Sequence, residues 1–229
     1  MLKEIQMKSM RKAKKIIAFA AAFIFIANGC GKPDTARAIS VVKTNGENAV
    51  TVNQSGREQA ARVGASLSEG YSASTGAVSN IFLDLDDKSV IKMDELTWVD
   101  VKEVSARKLS VELVTGALFA DITRRSDDDD YEFRTGNHAM VVRGTKFVIE
   151  MGRDEIIFVM LSGSAYIDGK TLAAGEAAEV NISTGDIVIA PIGFERLSAF
   201  ALGEIVELGS ELVASFTFKE SDIENAEII

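Results

Sequence analysis

The chain has 229 residues, 47% of them hydrophobic, which is enough for one domain of ordinary size with a buried core in addition to a targeting segment. It contains one cysteine, Cys30, and one histidine, His138, which excludes an internal disulfide and a Cys/His zinc cluster. Removing residues 1–29 takes away six basic residues and one acidic residue, and the net charge changes from −9 to −14. A surface this acidic repels nucleic acid, so we expect no nucleic-acid partner.

The N-terminus predicts export and a lipid anchor. A basic start is followed by the apolar run Ile16–Ile26 and then by Ala27-Asn28-Gly29-Cys30. This order is typical of a secretory signal peptide. As a helix the run would span roughly 16 Å, against about 30 Å of hydrocarbon, so it is too short to cross a membrane stably. Cysteine after three small or polar residues resembles the lipobox of bacterial lipoproteins; the alternative is a secreted protein with a stray cysteine.

The lipobox resemblance implies that Cys30 is acylated and becomes the first residue of the mature chain. Gly31, where some lipoproteins have aspartate, favours the outer membrane by resemblance to enteric sorting rules. We therefore expect a lipid-anchored protein of the bacterial cell envelope, on the periplasmic face of the outer membrane or on the cell surface. The starting methionine, Met1, Met7 or Met10, stays open.

Strand-and-turn patterns dominate the rest of the chain. Ile39–Val42 and Ala49–Val52 flank an Asn-Gly pair, which predicts a first hairpin. Residues 81–85 alternate between apolar and polar, and Asp86-Asp87 then predicts a solvated turn rather than a metal site. Glycine is frequent (18 residues) and proline rare (2 residues), as expected for a tightly turned β architecture.

Two stretches at an offset of 47 residues resemble each other. Val111–Asp121 and Phe158–Asp168 both read as strand, glycine and second strand, which aligns Gly116 with Gly163. Such repetition is typical of stacked β coils, although common strand-turn patterns produce it too. The continuous apolar run Ile156–Leu161 predicts a strand that is buried on both faces.

Three further features are candidates for chemistry. The run Arg124–Asp130 ends in four aspartates, but it lacks the spaced ligands of a calcium loop and is expected to be a solvated loop. His138 is expected to be structural or solvent-facing rather than a catalytic base. After Pro191 the apolar spacing becomes helical and predicts a C-terminal cap over the open end of the stack, while Ala214–Lys219 fits helix or strand equally.

The segment from Val63 to Val180 resembles the FecR-domain family. The central feature is Val142-Arg143-Gly144-Thr145-Lys146-Phe147-Val148, an Arg-Gly-Thr corner between two apolar runs. The other matching pieces are Val63-Gly64 with Leu67 and Gly70, Thr75-Gly76, Leu83 to Met93, Gly116, Gly163 and Ala174-Gly175-Glu176.

The resemblance implies an all-β fold, a twisted β-solenoid-like stack of short strands and hairpins. The best-known members of the family are transmembrane regulators of iron uptake that hold a sigma factor through a cytoplasmic domain. Only fifteen residues precede the apolar run here, so we expect no such cytoplasmic domain. The predicted organisation is a signal peptide (1–29), a tether with a first hairpin (30–60), a FecR-like β domain (61–190) and a C-terminal cap or tail (191–229).

The resulting functional hypothesis is a non-enzymatic, envelope-anchored binding, scaffolding or sensing module for a protein or a cell-envelope polymer, without cofactor, metal or catalytic residues. The alternatives are an accessory of transmembrane signalling related to iron-uptake regulation, and a hydrolase of envelope glycans. The candidate site residues are Cys30, for lipidation, and the corner Arg143, Gly144 and Thr145, which is structural and a possible binding site. In the structural reading, Gly144 allows the turn, Thr145 bonds its own backbone and Arg143 pairs with a nearby acid.

Overall fold

The computed structural model describes residues 37–86, 88–123 and 130–207. Within these ranges the chain forms seventeen strands, one short 3-10 helix (Phe194–Arg196) and one α-helix, α1 (Ala199–Glu207). The first nine strands are β1 (Ile39–Asn45), β2 (Ala49–Val52), β3 (Glu58–Ala60), β4 (Ser66–Leu67), β5 (Ser72–Thr75), β6 (Asn80–Leu85), β7 (Ser89–Met93), β8 (Trp98–Val104) and β9 (Lys108–Asp121). The others are β10 (Asp130–Thr135), β11 (His138–Val142), β12 (Lys146–Met151), β13 (Glu155–Ser162), β14 (Ser164–Ile167), β15 (Lys170–Ala173), β16 (Glu176–Asn181) and β17 (Ile187–Pro191).

The strands form two facing layers, which we call sheet A and sheet B. Sheet A has the order β4-β1-β6-β7-β9-β12-β13-β16-β17. Sheet B has the order β3-β2-β5-β8-β9-β10-β11-β14-β15. All these pairs are antiparallel except β9 with β10, so the predicted all-β stack is confirmed, with a chain that mostly doubles back in hairpins.

Strand β9 belongs to both sheets. Its first half, up to Thr115, pairs with β8 in sheet B, and its second half, from Gly116 to Asp121, pairs with β12 in sheet A. The chain changes sheets at Gly116, which has φ +86°. From the end of β9 the chain returns to sheet B as β10, parallel to the first half of β9, and this completes one full coil.

The chain crosses between the sheets at residues with positive φ, which lie in two columns. The first corner contains Gly46, Val78, Leu96 and Gly116, and the second corner contains Gly144, Gly163 and Gly175. The registers place the two columns at opposite ends of the strands, because β12 begins beside the end of β9 and ends beside Gly116. The left-handed conformation favours glycine, and five of these seven corner residues are glycine.

A single core fills the space between the sheets. Alternating strands such as β6 and β10 place every second side chain inside, and Phe133 and Phe147 meet there edge to face with ring centroids 4.7 Å apart. Strand β13 is buried on both faces, as its apolar run predicts. Its inner residues belong to this core, and its outer residues lie in a second cluster beneath α1.

Helix α1 covers the outer face of sheet A. Ala201 and Ile205 pack against β12, β13 and β16, and Glu204 forms a salt bridge with Lys92 of β7. The described part of the predicted C-terminal cap is therefore helical, and α1 lies on the outer face of sheet A rather than across the end of the stack. The apolar outer side chains of β13 need cover, and an amphipathic helix supplies it. The segment Ala214–Lys219 lies outside the described residues.

Two other expectations are wrong in their pairing. Strands β1 and β2 lie where the first hairpin was predicted, but they do not pair with each other. Because Gly46 (φ +79°) turns the chain from sheet A into sheet B, β1 pairs with β6 and β2 pairs with β5. The two copies of the 47-residue echo both turn at a glycine, but Gly116 leads from sheet B to sheet A and Gly163 from sheet A to sheet B. They are therefore not equivalent coils.

Candidate functional site

The Arg-Gly-Thr segment forms the second corner. Gly144 has φ +67° and carries the chain from β11 to β12. The corner packs directly against Gly163 of the next layer, where a Cβ atom would lie 2.8 Å from the Gly144 carbonyl oxygen and 2.9 Å from Cγ2 of Thr145. Two layers thus approach closely enough that only glycine fits at position 163.

Thr145 differs from the prediction that it bonds its own backbone. The residue is 1% exposed, and its Oγ1 makes no hydrogen bond within the described part of the chain. Its methyl group faces Gly163, and its carbonyl oxygen accepts a hydrogen bond from the Ile122 N–H at 2.9 Å. Packing of the methyl group against Gly163 therefore fixes the orientation of the side chain, and in this orientation the hydroxyl meets no hydrogen-bond partner among the described residues.

Arg143 pairs with the carboxylate of Asp130, at 2.7 Å from Nη2 and 3.2 Å from Nε. Both side chains are about half exposed, 50% for Arg143 and 43% for Asp130. Exposed pairs of this kind contribute between about 0 and 1 kcal/mol. The geometry accounts for the corner structurally, and its possible binding role stays a prediction.

A buried ionic cluster lies at the same end of the strands. The side chains of Arg37 and Asp86 are 0% and 1% exposed, and Nε of Arg37 donates to Oδ2 of Asp86 at 2.7 Å. Nη1 of Arg37 donates to the Asp130 carbonyl at 3.0 Å. The guanidinium lies 4.1 Å from the ring centroid of Tyr131, whose hydroxyl donates to Asp86 at 3.3 Å. Burial raises the pKa of Tyr131.

This cluster corrects the expectation of a solvated turn at Asp86-Asp87. Asp86 adopts φ +63°, which aspartate tolerates better than most residues, and its carboxylate also accepts the Ala38 N–H at 3.1 Å. Asp87 lies outside the described residues. The cluster therefore ties the segment that precedes β1 to the turn between β6 and β7.

His138 makes a contact between two turns, and most of the acidic run lies outside the described residues. Nδ1 of His138 is hydrogen bonded to the carboxylate of Asp168, which joins the β10–β11 turn to the β14–β15 turn. Of the run Arg124–Asp130 only Asp130 is described. Within residues 37–86, 88–123 and 130–207, no group of three or more His, Cys, Asp or Glu residues is placed to hold a metal ion. None of the helices in these ranges is long and apolar enough to span a membrane.

The outer face of sheet B carries a network of paired charges. Lys102 bridges Asp100 and Glu112 at 3.3 and 2.6 Å. Burial tends to raise the pKa of Asp100, but hydrogen bonds from Ser72, Trp98 and Lys102 outweigh it and lower that pKa. A carboxylate that is stabilised in its charged form is a poor proton donor, so Asp100 is not suited to acid catalysis. The charges on this face pair with one another, as is typical of a solvated surface.

The described stack has two ends, one formed by β3 and β4 and the other by β15 and β17. Among the described strands, β17 pairs only with β16, which leaves its other edge without a partner strand. The Asn181 N–H donates to the Asp186 carbonyl, and the Ile192 N–H donates to the Gly175 carbonyl. These two bonds flank the β16–β17 ladder and show which residues of β17 are hydrogen bonded to β16. Val188 and Ala190 therefore bond β16, whereas the backbone groups of Ile187, Ile189 and Pro191 point outward.

The side chains at this edge leave the core incompletely covered. Ile187 and Ile189 pack against the main core but are only partly buried, while most strands deeper in the stack bury their inward residues fully. Lys170 donates to the Ile187 carbonyl at 2.8 Å, and Pro191 has no N–H to offer. A lysine and a proline are typical of strand edges that are protected against pairing with another chain. Between them, the N–H and the carbonyl of Ile189 point outward and have no strand partner in the described structure. The sequence pattern alone does not show which strands lie at the ends of the two sheets.

Comparisons with known proteins return one family and two solved structures that this chain resembles. The model of the family described as FecR protein matches residues 71–166. Two crystal structures of a candidate anti-sigma factor from Parabacteroides distasonis ATCC 8503 are similar in fold. One is 19% identical with a TM-score of 0.47, and the match covers 52% of this chain and 59% of that chain. The other is 18% identical with a TM-score of 0.49, covering 60% and 72%. Among curated proteins there is no match.

Proposed function

We propose, from the premise that residues 71–166 form a FecR domain, that the chain is a non-enzymatic signalling module of the cell envelope. The family match supports a signalling or regulatory role. In this proposal the module is held at the membrane by a lipid on Cys30, and it binds a partner protein at the terminal strand β17. The open β17 edge is the observation that carries the binding part of the proposal.

The partner supplies an extended segment that pairs with β17. Strand addition of this kind gives affinity through backbone hydrogen bonds and specificity through alternate side chains. The N–H and carbonyl of Ile189 face outward, and the partner's apolar side chains would cover Ile187 and Ile189. A glycan chain has no peptide backbone to pair in this way, so the edge favours a protein partner over a glycan.

Ile189→Pro tests the edge in the full-length, lipid-anchored protein. The substitution removes an outward N–H that makes no bond within the described structure, so the fold should largely persist. A photocrosslinking amino acid at Val188, which is 60% exposed on the outer face, should capture a specific envelope protein. We expect Ile189→Pro to abolish that crosslink, whereas an exposed control position, Val63, gives none. An unchanged crosslink in the proline variant would contradict strand addition.

The anchor is tested separately. Labelled palmitate should enter the protein and be absent from Cys30→Ala, which should also leave the membrane fraction. Two acyl chains anchor a protein stably, because each buried methylene contributes about 0.8 kcal/mol. If Cys30→Ala partitions into membranes as the unsubstituted chain does, the lipoprotein proposal is wrong, while the β17 proposal is unaffected.

A further inference from the structure

Two of the four residues of the first corner are large and apolar. Gly46 and Gly116 need to be glycine, since a Cβ atom would lie 2.3 Å from the Val78 carbonyl oxygen and 2.9 Å from the Leu96 carbonyl oxygen, respectively. Val78 and Leu96 adopt the same left-handed conformation, with φ +54° and +53°. Glycine, asparagine or aspartate adopts this conformation at lower cost, and a β-branched residue there is a true outlier.

These two side chains do not contribute to the core. Val78 is 85% exposed and Leu96 is 62% exposed. They occupy adjacent layers of the stack, because β6 pairs with β7 in sheet A. Both residues therefore have a strained backbone and an apolar side chain that is exposed to solvent. Core packing does not require these side chains, and a glycine would form the same turn at lower cost.

The backbone around the pair is held by hydrogen bonds. The carboxylate of Glu95 accepts the Val78 N–H at 2.6 Å. Oγ1 of Thr75 accepts the Thr97 N–H at 2.9 Å, and Oγ1 of Thr97 accepts the Ala117 N–H at 3.1 Å. The two side chains are thus presented from a fixed scaffold, so little backbone freedom would be lost when a partner binds.

The surroundings of the pair are acidic. A cleft of about 410 Å³ begins beside Leu96, and its charged lining residues include four acids and a single cation, Arg196. Arg196 is already paired with Glu155 and Glu179, at 2.8 and 2.6 Å. A second copy of this chain would bring the same acidic surface and be repelled, whereas a basic partner surface would be attracted. The four acids are Asp94, Glu95, Glu150 and Glu155.

We infer that Val78 and Leu96 form an interaction surface for a second protein, one that presents an apolar pocket rimmed by lysine or arginine. The surface is independent of the β17 edge: it lies in the layers of β6 and β7, with β9, β12, β13 and β16 of sheet A in between. Exposed apolar side chains that enter a pocket are typical anchors of binding energy, and charges around them chiefly set specificity and association rate.

The double variant Val78→Gly/Leu96→Gly separates binding from folding. A photocrosslinker at position 78 of the full-length protein identifies the partner in the native envelope, and the purified partner is then titrated by calorimetry. We expect the double variant to bind at least tenfold more weakly, in line with the loss of an anchor residue. Its melting temperature should not fall, because glycine adopts φ near +54° without strain.

Val63→Gly is the matched control, since Val63 is 68% exposed but lies outside both corners. It should bind as the unsubstituted chain does. Affinity for the partner should also fall as salt rises from about 0.05 to 0.5 M, because the Debye length shortens across that range. Equal affinity of the double variant, salt-independent binding, or a crosslink from position 78 only to this chain itself would overturn the inference.

Discussion

The close approach at the second corner leads to a quantitative prediction for Gly163→Ala. Gly163 and Gly169 lie on either side of β14, and both have positive φ, +79° and +83°. They differ in their surroundings. A Cβ atom at 163 would lie 2.8 Å from a backbone oxygen, whereas at 169 nothing lies within 4 Å. Gly169→Ala is therefore a control that carries the conformational penalty alone.

The magnitudes follow from these two contributions. A left-handed conformation costs an alanine about 1–2 kcal/mol, which both variants share. Overpacking against a neighbour that cannot move adds about 1–3 kcal/mol at position 163 alone. We expect the free energy of unfolding to fall by about 1–2 kcal/mol for Gly169→Ala and by about 2–5 kcal/mol for Gly163→Ala. The contact atom is a backbone carbonyl of Gly144, so side-chain rotation cannot relieve it.

Urea unfolding followed by the fluorescence of Trp98, the single tryptophan, measures both variants. The dependence on urea should keep the same slope, since neither substitution changes how much surface is exposed on unfolding. If both variants lose the same free energy, the two layers are not in contact at this corner and the reasoning fails.

Two further predictions concern buried charges. Arg37→Met should lower the free energy of unfolding by about 3–5 kcal/mol, because it removes the buried cation that pairs with the Asp86 carboxylate. Arg143→Met breaks a half-exposed pair and should cost no more than about 1 kcal/mol. Equal losses in urea unfolding would show that burial is not decisive. Burial raises the pKa of Glu204 above its ordinary value of 4.5, only partly offset by Lys92. Protonated Glu204 therefore stabilises the fold below pH about 4.5, and this contribution is lost as the pH rises through the folded pKa. In melting curves from pH 4 to 8, the stability of wild type relative to Glu204→Gln should decrease as the pH rises, and a constant difference would contradict the assignment.

Local patterns in the sequence predict the strands well but do not determine their partners. The hairpin of β6 and β7 and the doubly buried β13 follow from alternation and from a continuous apolar run, both of which involve near neighbours. Strands β1 and β2 have equally clear patterns, yet each pairs with a strand twenty or more residues away, β6 and β5 respectively. The positive φ of Gly46 decides this, and an Asn-Gly pair fits a corner as well as a hairpin.

The candidate surfaces were less accessible to sequence reasoning for the same reason. Arg37 and Asp86 are 49 residues apart and meet only because β1 lies beside β6. Valine and leucine have no sequence signature for a left-handed turn, so nothing local distinguishes Val78 and Leu96 from other apolar residues. The Arg-Gly-Thr corner is the main feature of the family resemblance, but its packing against Gly163 depends on the next layer.

Strand β9 has a consequence for how the molecule unfolds. One continuous segment supplies a central strand to both sheets. We therefore expect that the centre of one sheet cannot unfold while the centre of the other stays folded. Many two-layer β proteins can fray one sheet ahead of the other, but here the two layers should melt in a single cooperative step. Native-state hydrogen exchange should then give the amides on both sides of Gly116 the same, highest protection, set by global unfolding.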